Sequence, residues 1–316
     1  MALMSGFTPY VTPEQLSQRP TGVSWGSIPS PSASAAEKYA AQQVICMDAT
    51  GMADARANQI LRATQQMEPL FGPGDFRVNQ LPNGNTRLLL SQWPVVSVSA
   101  VAVANASAFP LQFANVVTGS WLVERPPLFL YGSSAAADSG TGGQSIQVGP
   151  GYINWYAGRG GWYINTTYIA GWPHAGITVQ ANAGDQVLNV DDCTGWAPAD
   201  PGAQGSAGQG ATGVIYDTLG NQEAVSCLAA SATAGPGVLS LSAALLYAHD
   251  PGITVSTLPG NIQWATVLYA ASLALTRGAT ATKIQDIAGT GGATASGALD
   301  LQKQADAFID RFARVV

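Results

Sequence analysis

Tyr168-Ile169-Ala170-Gly171-Trp172-Pro173 is the stretch that decides the fold, because it ends a predicted β-strand and is followed by a long, turn-rich β pattern. A strongly apolar helix then begins abruptly after Pro259-Gly260. Short strands bounded by Gly, Pro, Asn and Asp are typical of a small β module. We therefore predict a connected α+β core, residues 35–173 and 259–316, into which a β domain of residues 174–258 is inserted.

The composition favours a subunit of an assembly over a free monomer. Of the 316 residues, 47% are hydrophobic and only 10% are charged, whereas a soluble protein has about a quarter. The net charge is −6, and the lysines are confined to Lys38, Lys283 and Lys303. Tight binding to phosphates requires clustered Lys and Arg. We therefore expect no sequence-specific binding of nucleic acid, although DNA could pass such a surface.

The cysteines and the apolar stretches indicate neither disulfides nor a membrane. Cys46, Cys193 and Cys227 are odd in number and include no CxxC pair, so we expect buried free thiols. The N-terminus has no basic region followed by an apolar run, so no signal peptide is predicted. The longest apolar stretch, Ile262–Leu275, is shorter than a membrane span.

Residues 1–34 are rich in Pro and Ser and are predicted to form an extended N-terminal arm. One short helix interrupts this arm, because Thr12 can cap it and Pro13 suits the first helical position. In a ring of subunits, such an arm would lie along a neighbouring subunit.

A long helical region follows the arm. Ser34 and Glu37 have the spacing of a capping box, which predicts that a helix begins there. Gly51 is expected to divide the region into two helices, 35–48 and 52–66, because glycine weakens a helix interior.

From Phe76 onward the apolar residues alternate with polar ones, which predicts a central antiparallel β region. The inserted domain has the same rhythm with shorter strands and more turns, which predicts a small β barrel or sandwich. The strands predicted for the core are 95–103, 121–124, 145–148, 152–155 and 162–168. Those predicted for the inserted domain are 186–190, 214–216, 223–227, 238–241 and 253–255, with a flexible Gly-rich loop at 202–213.

Two C-terminal helices complete the chain. The first, 262–277, is apolar nearly all round, which indicates burial on several sides. A hinge at 290–296 separates it from the second, 297–314. The second helix has one apolar stripe, which consists of Leu301, Ala305, Phe308, Ile309 and Phe312.

The sequence indicates no catalytic or metal site and no cofactor, so we expect that the protein is not an enzyme. It contains no Walker A sequence and no GxSxG elbow. His174 and His249 each lie beside a turn, and neither is expected to act in catalysis or to bind a metal. Four aspartates could hold calcium but lack the spacing of a calcium loop, so we interpret them as turn caps. These are Asp185, Asp191, Asp192 and Asp200.

Aromatic residues are dense near the end of the β region, which is compatible with a sugar-stacking platform or with a half-buried sheet. We favour the half-buried sheet, because aromatic residues are common in strands. The residues are Trp155, Tyr156, Trp162, Tyr163, Tyr168 and Trp172.

Three segments together resemble the head-to-tail connector (adaptor) proteins of tailed bacteriophages. They are the strand Trp93-Pro-Val-Val-Ser-Val-Ser-Ala-Val101, the strand end Tyr168–Pro173 and the helix Gln263–Arg277. The resemblance covers most of the chain outside the inserted domain. That domain is similar to β modules of phage structural proteins, and small members of the family lack it.

The resemblance implies a homo-oligomeric ring, often of twelve subunits, that lies in the neck of the virion and is assembled in the host cytoplasm. Such a ring docks beneath the portal protein, extends the DNA channel for non-specific passage of the genome, and presents a platform to a tail terminator or stopper protein. No membrane takes part.

The terminal helices are the expected site of contact with the portal or between subunits. We base this on their position, their apolar stripe and their late arginines, and we expect that deletion of 297–316 abolishes portal binding while the β core stays folded. The residues expected in the interface are Trp264, Leu268, Phe308, Arg311, Phe312 and Arg314.

Two other functions are compatible with the residues. The first is a carbohydrate-binding or receptor-binding virion protein that uses the β domain and its aromatic residues. The second is a cell-wall hydrolase, which would need two carboxylates in one cleft. The sequence shows no local pair of that kind.

Overall fold

The computed structural model describes residues 8–72, 75, 77–82, 85–105, 113–115, 121–124, 145–148, 161–196, 211–276 and 293–313. Their fold is α+β, with N-terminal helices, antiparallel sheets, a curled sheet and two C-terminal helices, as predicted. The α-helices are α1 (Pro13–Gln18), α2 (Ala35–Ala57), α3 (Gly260–Thr276) and α4 (Ala293–Ile309). The strands outside the inserted domain are β1 (Thr64–Gly72), β2 (Val78–Gln80), β3 (Thr86–Leu89), β4 (Val95–Asn105), β5 (Ala114–Asn115), β6 (Trp121–Glu124), β7 (Ser145–Val148) and β8 (Trp162–Ala170).

Residues 8–34 belong to the helical core and do not form the extended arm that we predicted. The predicted cap of α1 is confirmed, because the Thr12 side chain accepts a hydrogen bond from the backbone N–H of Gln15. Tyr10, Leu16 and Trp25 are buried in one apolar cluster with α2, α3 and α4. The large apolar side chains of the segment therefore pack within the chain itself and not along a neighbouring subunit.

Helix α2 begins at the predicted capping box of Ser34 and Glu37 but is not divided at Gly51. Gly51 is exposed and helical, and the helix ends only where Asn58 adopts a left-handed conformation with φ 52°. Residues 64–66, predicted to be helical, are the start of β1. A single glycine lowers helix stability by only about 1 kcal/mol, and the packing of α2 against α3 outweighs that cost.

The C-terminal helices pack against α2. Helix α3 buries residues on nearly every side, as its apolar sequence predicts. Helix α4 begins at Ala293, so residues 293–296 are helical and not a hinge. Its predicted apolar stripe is confirmed, because Ala305, Ile309 and Phe312 are fully buried and Leu301 and Phe308 pack against the same cluster.

The main sheet has the strand order β1-β8-β4-β5 and is antiparallel throughout. Strand β8 lies at its centre and pairs over its whole length with both β1 and β4. The inner face contributes Leu70, Val101 and Ile164 to a second apolar cluster. A smaller sheet of order β2-β3-β7-β6 contains the predicted strands 121–124 and 145–148, and the predicted strand 152–155 lies outside the described residues.

The inserted domain is a curled six-stranded sheet, in agreement with the predicted small barrel or sandwich. A bridge between Ile177 and Val190 joins its two edge strands, and Trp196 is buried in its apolar cluster. Its strands are β9 (His174–Gly176), β10 (Val187–Val190), β11 (Thr212–Tyr216), β12 (Glu223–Ala230), β13 (Gly237–Leu241) and β14 (Thr254–Ser256), in the order β10-β13-β12-β11-β14-β9. Most of the predicted loop 202–213 lies outside the described residues.

The apolar clusters of the described residues separate the inserted sheet from the rest of the chain. Every member of the third cluster lies between Ala175 and Val255. The other two clusters contain no residue between Trp172 and Leu258. The inserted sheet therefore has an apolar core of its own.

Candidate functional site

The strand end Tyr168–Pro173 connects the main sheet, the helices and the inserted domain. At Gly171 the chain turns with φ +104°, and an added Cβ would stand 2.3 Å from the Arg62 carbonyl oxygen. The Trp172 N–H donates to the Leu61 carbonyl at 2.9 Å, and the Ala63 N–H donates to the Trp172 carbonyl at 2.8 Å. Glycine is required here, because the two backbone segments run in contact.

Trp172 also joins an aromatic cluster with Trp93 and Phe312. The ring centroids of Trp172 lie 5.5 Å from those of Trp93 and 5.6 Å from those of Phe312, both edge to face. Gln59 links the backbones of two members of this cluster. Its side-chain amide donates to the Phe312 carbonyl at 3.0 Å and accepts from the Trp93 N–H at 3.2 Å. The C-terminal turn is thereby fixed to the end of β8.

The structure separates the residues that we expected in an interface. Leu268 and Phe312 are 2% and 0% exposed, because they fill the chain's own helical core. They offer no surface to a partner in this structure. Trp264 and Phe308 are half-buried and Arg311 is exposed, while Arg314 lies outside the described residues. The hypothesis of an interface on the terminal helices is therefore confined to Trp264, Phe308 and Arg311.

Charged contacts surround this helical surface. The Arg56 guanidinium donates two hydrogen bonds, of 2.5 and 2.7 Å, to the Asp310 carboxylate. These bonds hold the pKa of Asp310 below its ordinary value. Arg19 lies 5.9 Å from the centre of the Trp264 ring, within the range of a cation–π contact. Arg56 and Arg19 are thus already engaged within the chain.

The outer face of the main sheet is the feature that sequence reasoning missed. Three large apolar side chains are exposed on it, with exposed fractions of 73% for Met67, 36% for Phe71 and 39% for Tyr163. The rings of Phe71 and Tyr163 lie in contact, 4.9 Å apart. The missed signal was the alternation of Met67, Pro69 and Phe71, which becomes visible once residues 64–72 are recognised as a strand.

The charged residue of the three long strands of the main sheet lies on the inner face. Strands β1, β4 and β8 contain one charged residue, Glu68, which is buried and forms an ion pair with Arg77. The Tyr168 hydroxyl donates to Glu68 at 2.8 Å, and burial raises the pKa of that hydroxyl. An antiparallel sheet with one solvated face normally places its polar residues outward. Here the outward face is uncharged and partly apolar.

The N-terminal segment fixes the inserted domain to the helices. His174 contacts the Pro9 carbonyl with Nε2 and the Ser256 hydroxyl with Nδ1, both at 2.9 Å. A carbonyl only accepts, so Nε2 donates and Nδ1 accepts. The Tyr10 ring packs edge to face on His174 at 5.6 Å, and the Tyr10 hydroxyl donates to Asp54 at 2.6 Å. Burial lowers the pKa of His174 to about 4.

His249 belongs to a buried hydrogen-bond network that the sequence did not reveal. Its Nδ1 lies 2.7 Å from Asp217 and its Nε2 lies 2.8 Å from Glu223. The Glu223 carboxylate also accepts from the N–H groups of Leu246 and Tyr247. The network ties two loops of the inserted domain together. His249 is 0% exposed, so this arrangement offers no open coordination or reaction site.

Asp185 and Asp192 act as turn caps, as predicted, whereas Asp191 makes a long-range contact and does not cap a turn. Asp185 accepts from the Asn182 N–H, Asp191 from the Gly176 N–H and Asp192 from the Thr194 N–H. Asp200 lies outside the described residues. No group of three or more His, Cys, Asp or Glu residues within the described ranges could hold a metal ion. The three cysteines are buried free thiols, as predicted, and burial raises the pKa of Cys227 to about 11.

The predicted aromatic residues do not come together as a sugar-stacking platform in the part of the chain that the structure describes. Tyr168 is 0% and Trp172 is 6% exposed, since both fill cores. Trp162 and Tyr163 alternate between the two faces of β8, and Trp155 and Tyr156 lie outside the described residues. The half-buried sheet is the interpretation that agrees with these positions.

Among the described helices, none has the length and apolar character that crossing a membrane requires. No protein-family model, characterised protein or solved structure matches this chain.

Proposed function

We propose that the chain is a structural subunit of a head-to-tail connector ring in a tailed phage. In this role it joins the portal to the tail and extends the DNA channel, and it performs no catalysis. The observation that carries the proposal is the pairing of β4 with β8. Val95–Val101 of the first strand motif that resembles the connector family lies in β4, and Tyr168–Ala170 of the second lies in β8. The two strands are hydrogen-bonded neighbours along their whole length.

Surface and core properties support the same proposal. The described part of the sheet presents an uncharged outer face, and α3 is buried on nearly every side. The chain has only 13 Lys and Arg residues in 316, which suits a channel wall that must not bind DNA tightly. The described aromatic residues give no support to a carbohydrate platform, so the connector is the function that we propose.

Co-purification with the portal protein of the same phage tests the proposal. We expect a ring of copies by native mass spectrometry and a stable complex with the portal. The surface variants Phe308→Ala and Arg311→Glu should weaken portal binding, while Leu219→Ala, on an exposed turn of the inserted domain, should leave it unchanged. A stable monomer that does not bind the portal would contradict the proposal.

Deletion of 297–316 is not a clean test, although the sequence suggested it. The deletion would remove Ala305, Ile309 and Phe312 from the helical core. Loss of portal binding in that variant could then result from unfolding. Arg311→Glu avoids this ambiguity, because Arg311 is exposed and belongs to no apolar cluster.

A further inference from the structure

The outer face of the main sheet has the composition of an interface core. Met67, Phe71 and Tyr163 are apolar and exposed, and Met and aromatic residues are enriched at interface centres whereas Lys, Glu and Asp are depleted. Uncharged polar residues surround them, since Asn165 and Thr167 lie on the same face of β8. Exposed apolar patches with a polar rim mark interaction sites.

The β1 edge of the sheet is poorly suited to pairing with another chain, which favours a contact through the face. Strand β1 is an edge strand, and an exposed edge could pair with a strand of another chain. Pro69 lies in the middle of β1 and has no N–H to donate to a further strand. A partner therefore packs on the side chains, as one sheet packs on another layer.

We propose that this face is a contact between copies of this chain. The chain carries a net charge of −6, so two copies repel each other overall. The repulsion is smallest where neither surface holds a charge, and burial of this face removes no exposed charge from water. Two copies can therefore approach each other through this face without bringing like charges together.

The size of the face fits the centre of such a contact. Three strands of nine residues measure about 30 Å by about 14 Å, or about 400 Å² in projection. A standard interface takes about 800 Å² from each partner. The face therefore supplies roughly half of the area, and the surrounding polar surface supplies the rest.

The test measures self-association of the full chain by sedimentation velocity over a range of concentrations. Met67→Glu places a charge in the centre of the face, and we expect it to weaken self-association by at least about 100-fold. Leu246→Glu is the matched control, because Leu246 is 71% exposed and Met67 is 73% exposed. The control should associate like the wild type. Because Met67 is exposed, both variants should keep the wild-type circular dichroism.

A second measurement uses the buried state of the natural cysteines. Met67→Cys introduces one accessible thiol, and we expect a bifunctional thiol reagent to join two copies through it. The same reagent should not join copies of Leu246→Cys. A monomeric wild type, or equal behaviour of the two positions, would overturn the proposal. The inference does not depend on the portal, so self-association without portal binding would contradict the connector function and leave this interface standing.

Discussion

Gly171 lies against the backbone of Arg62, and a methyl group at Gly171 would stand 2.3 Å from the Arg62 carbonyl oxygen and 2.5 Å from its carbon. The two segments lie at the same end of the main sheet, because Arg62 precedes the edge strand β1 and Gly171 follows the central strand β8, with which β1 pairs. Next to this contact the Trp172 N–H donates to the Leu61 carbonyl, and the chain then enters the inserted domain.

Gly171→Ala should therefore destabilise the protein by at least about 3 kcal/mol. The φ of +104° strains any residue with a Cβ, and strain of this kind costs about 1–3 kcal/mol. The collision with Arg62 adds to that cost, because backbone atoms cannot rotate away. Urea unfolding followed by circular dichroism measures the change.

Gly184→Ala distinguishes the cost of backbone strain at positive φ from the cost of the collision with Arg62. Gly184 has a similar φ of +93°, but nothing lies within 4 Å of its added Cβ. We expect a loss of only about 1 kcal/mol. Equal losses in the two variants would show that the contact with Arg62 contributes little.

Gly51→Ala should stabilise the protein by about 0.5–1 kcal/mol, because alanine is the better helix former. Gly51 lies inside α2, and its added Cβ would meet no atom within 4 Å. Gly213→Ala gives the opposite expectation, since its Cβ would stand 2.8 Å from the Trp196 ring and 2.9 Å from the Ser256 carbonyl oxygen. Thermal unfolding measures both variants, and a destabilised Gly51→Ala protein would contradict the packing described for α2.

The errors in the predicted fold arise where long-range contacts outweigh local preference. Gln65, Gln66 and Met67 are good helix formers, which extended the predicted helix to residue 66. In the structure they pair with Ile169, Tyr168 and Thr167 of β8, about a hundred residues away. The sequence did predict the caps of α1 and α2 and the strands β4 and β8, because hydrogen-bonding side chains and alternating residues act locally.

His174 makes folding stability depend on pH. Burial lowers its pKa from 6.5 to about 4. Between these values the unfolded chain binds a proton that the folded chain does not, so stability falls as pH decreases through this window. The contribution reaches about 3 kcal/mol near pH 4. Urea unfolding at several pH values should show this loss.

His174→Gln provides the control. The variant loses the hydrogen bonds to Pro9 and Ser256 and should be less stable at every pH. Its stability should, however, fall less steeply than that of the wild type between pH 6.5 and 4. Parallel pH profiles for the two proteins would show that His174 is not the group responsible.

Phe312→Ala should destabilise the protein by about 3–5 kcal/mol, the usual cost of removing a buried aromatic side chain. Phe312 is 0% exposed and contacts both Trp93 and Trp172. Phe308→Ala should cost clearly less, because Phe308 is only half-buried on the same helical stripe. Urea unfolding of the two variants compares them, and an equal cost would contradict the aromatic cluster as the anchor of the C-terminal turn.

The difference in burial between Phe312 and Phe308 also explains why the candidate interface could be predicted only in part. The apolar sequences of α3 and α4 indicated burial but could not show what covers each side. Leu268 and Phe312 are covered by the chain's own helices, whereas Phe308 and Trp264 remain partly open. The outer sheet face was missed because residues 64–66 were predicted to be helical, and Met67, Pro69 and Phe71 share a face only within a strand.

Removal of the inserted domain should leave a folded core. The ends of the domain meet, because the Pro173 carbonyl accepts from both the Thr257 N–H at 2.9 Å and the Thr257 hydroxyl at 3.1 Å. A short Gly-Ser linker can therefore replace residues 174–257. The two apolar clusters of the core lose no member in this variant. Circular dichroism should keep its helical signal, and urea unfolding should remain cooperative.

The shortened chain should nevertheless be less stable than the full chain, since the contacts of Pro9 and Tyr10 with His174 are lost. The isolated fragment 174–258 provides the complementary measurement, and its own apolar cluster predicts that it folds. A shortened chain with no cooperative transition would mean that the core depends on the inserted domain. In that case the contacts of Pro9 and Tyr10 with His174 would be the first to restore.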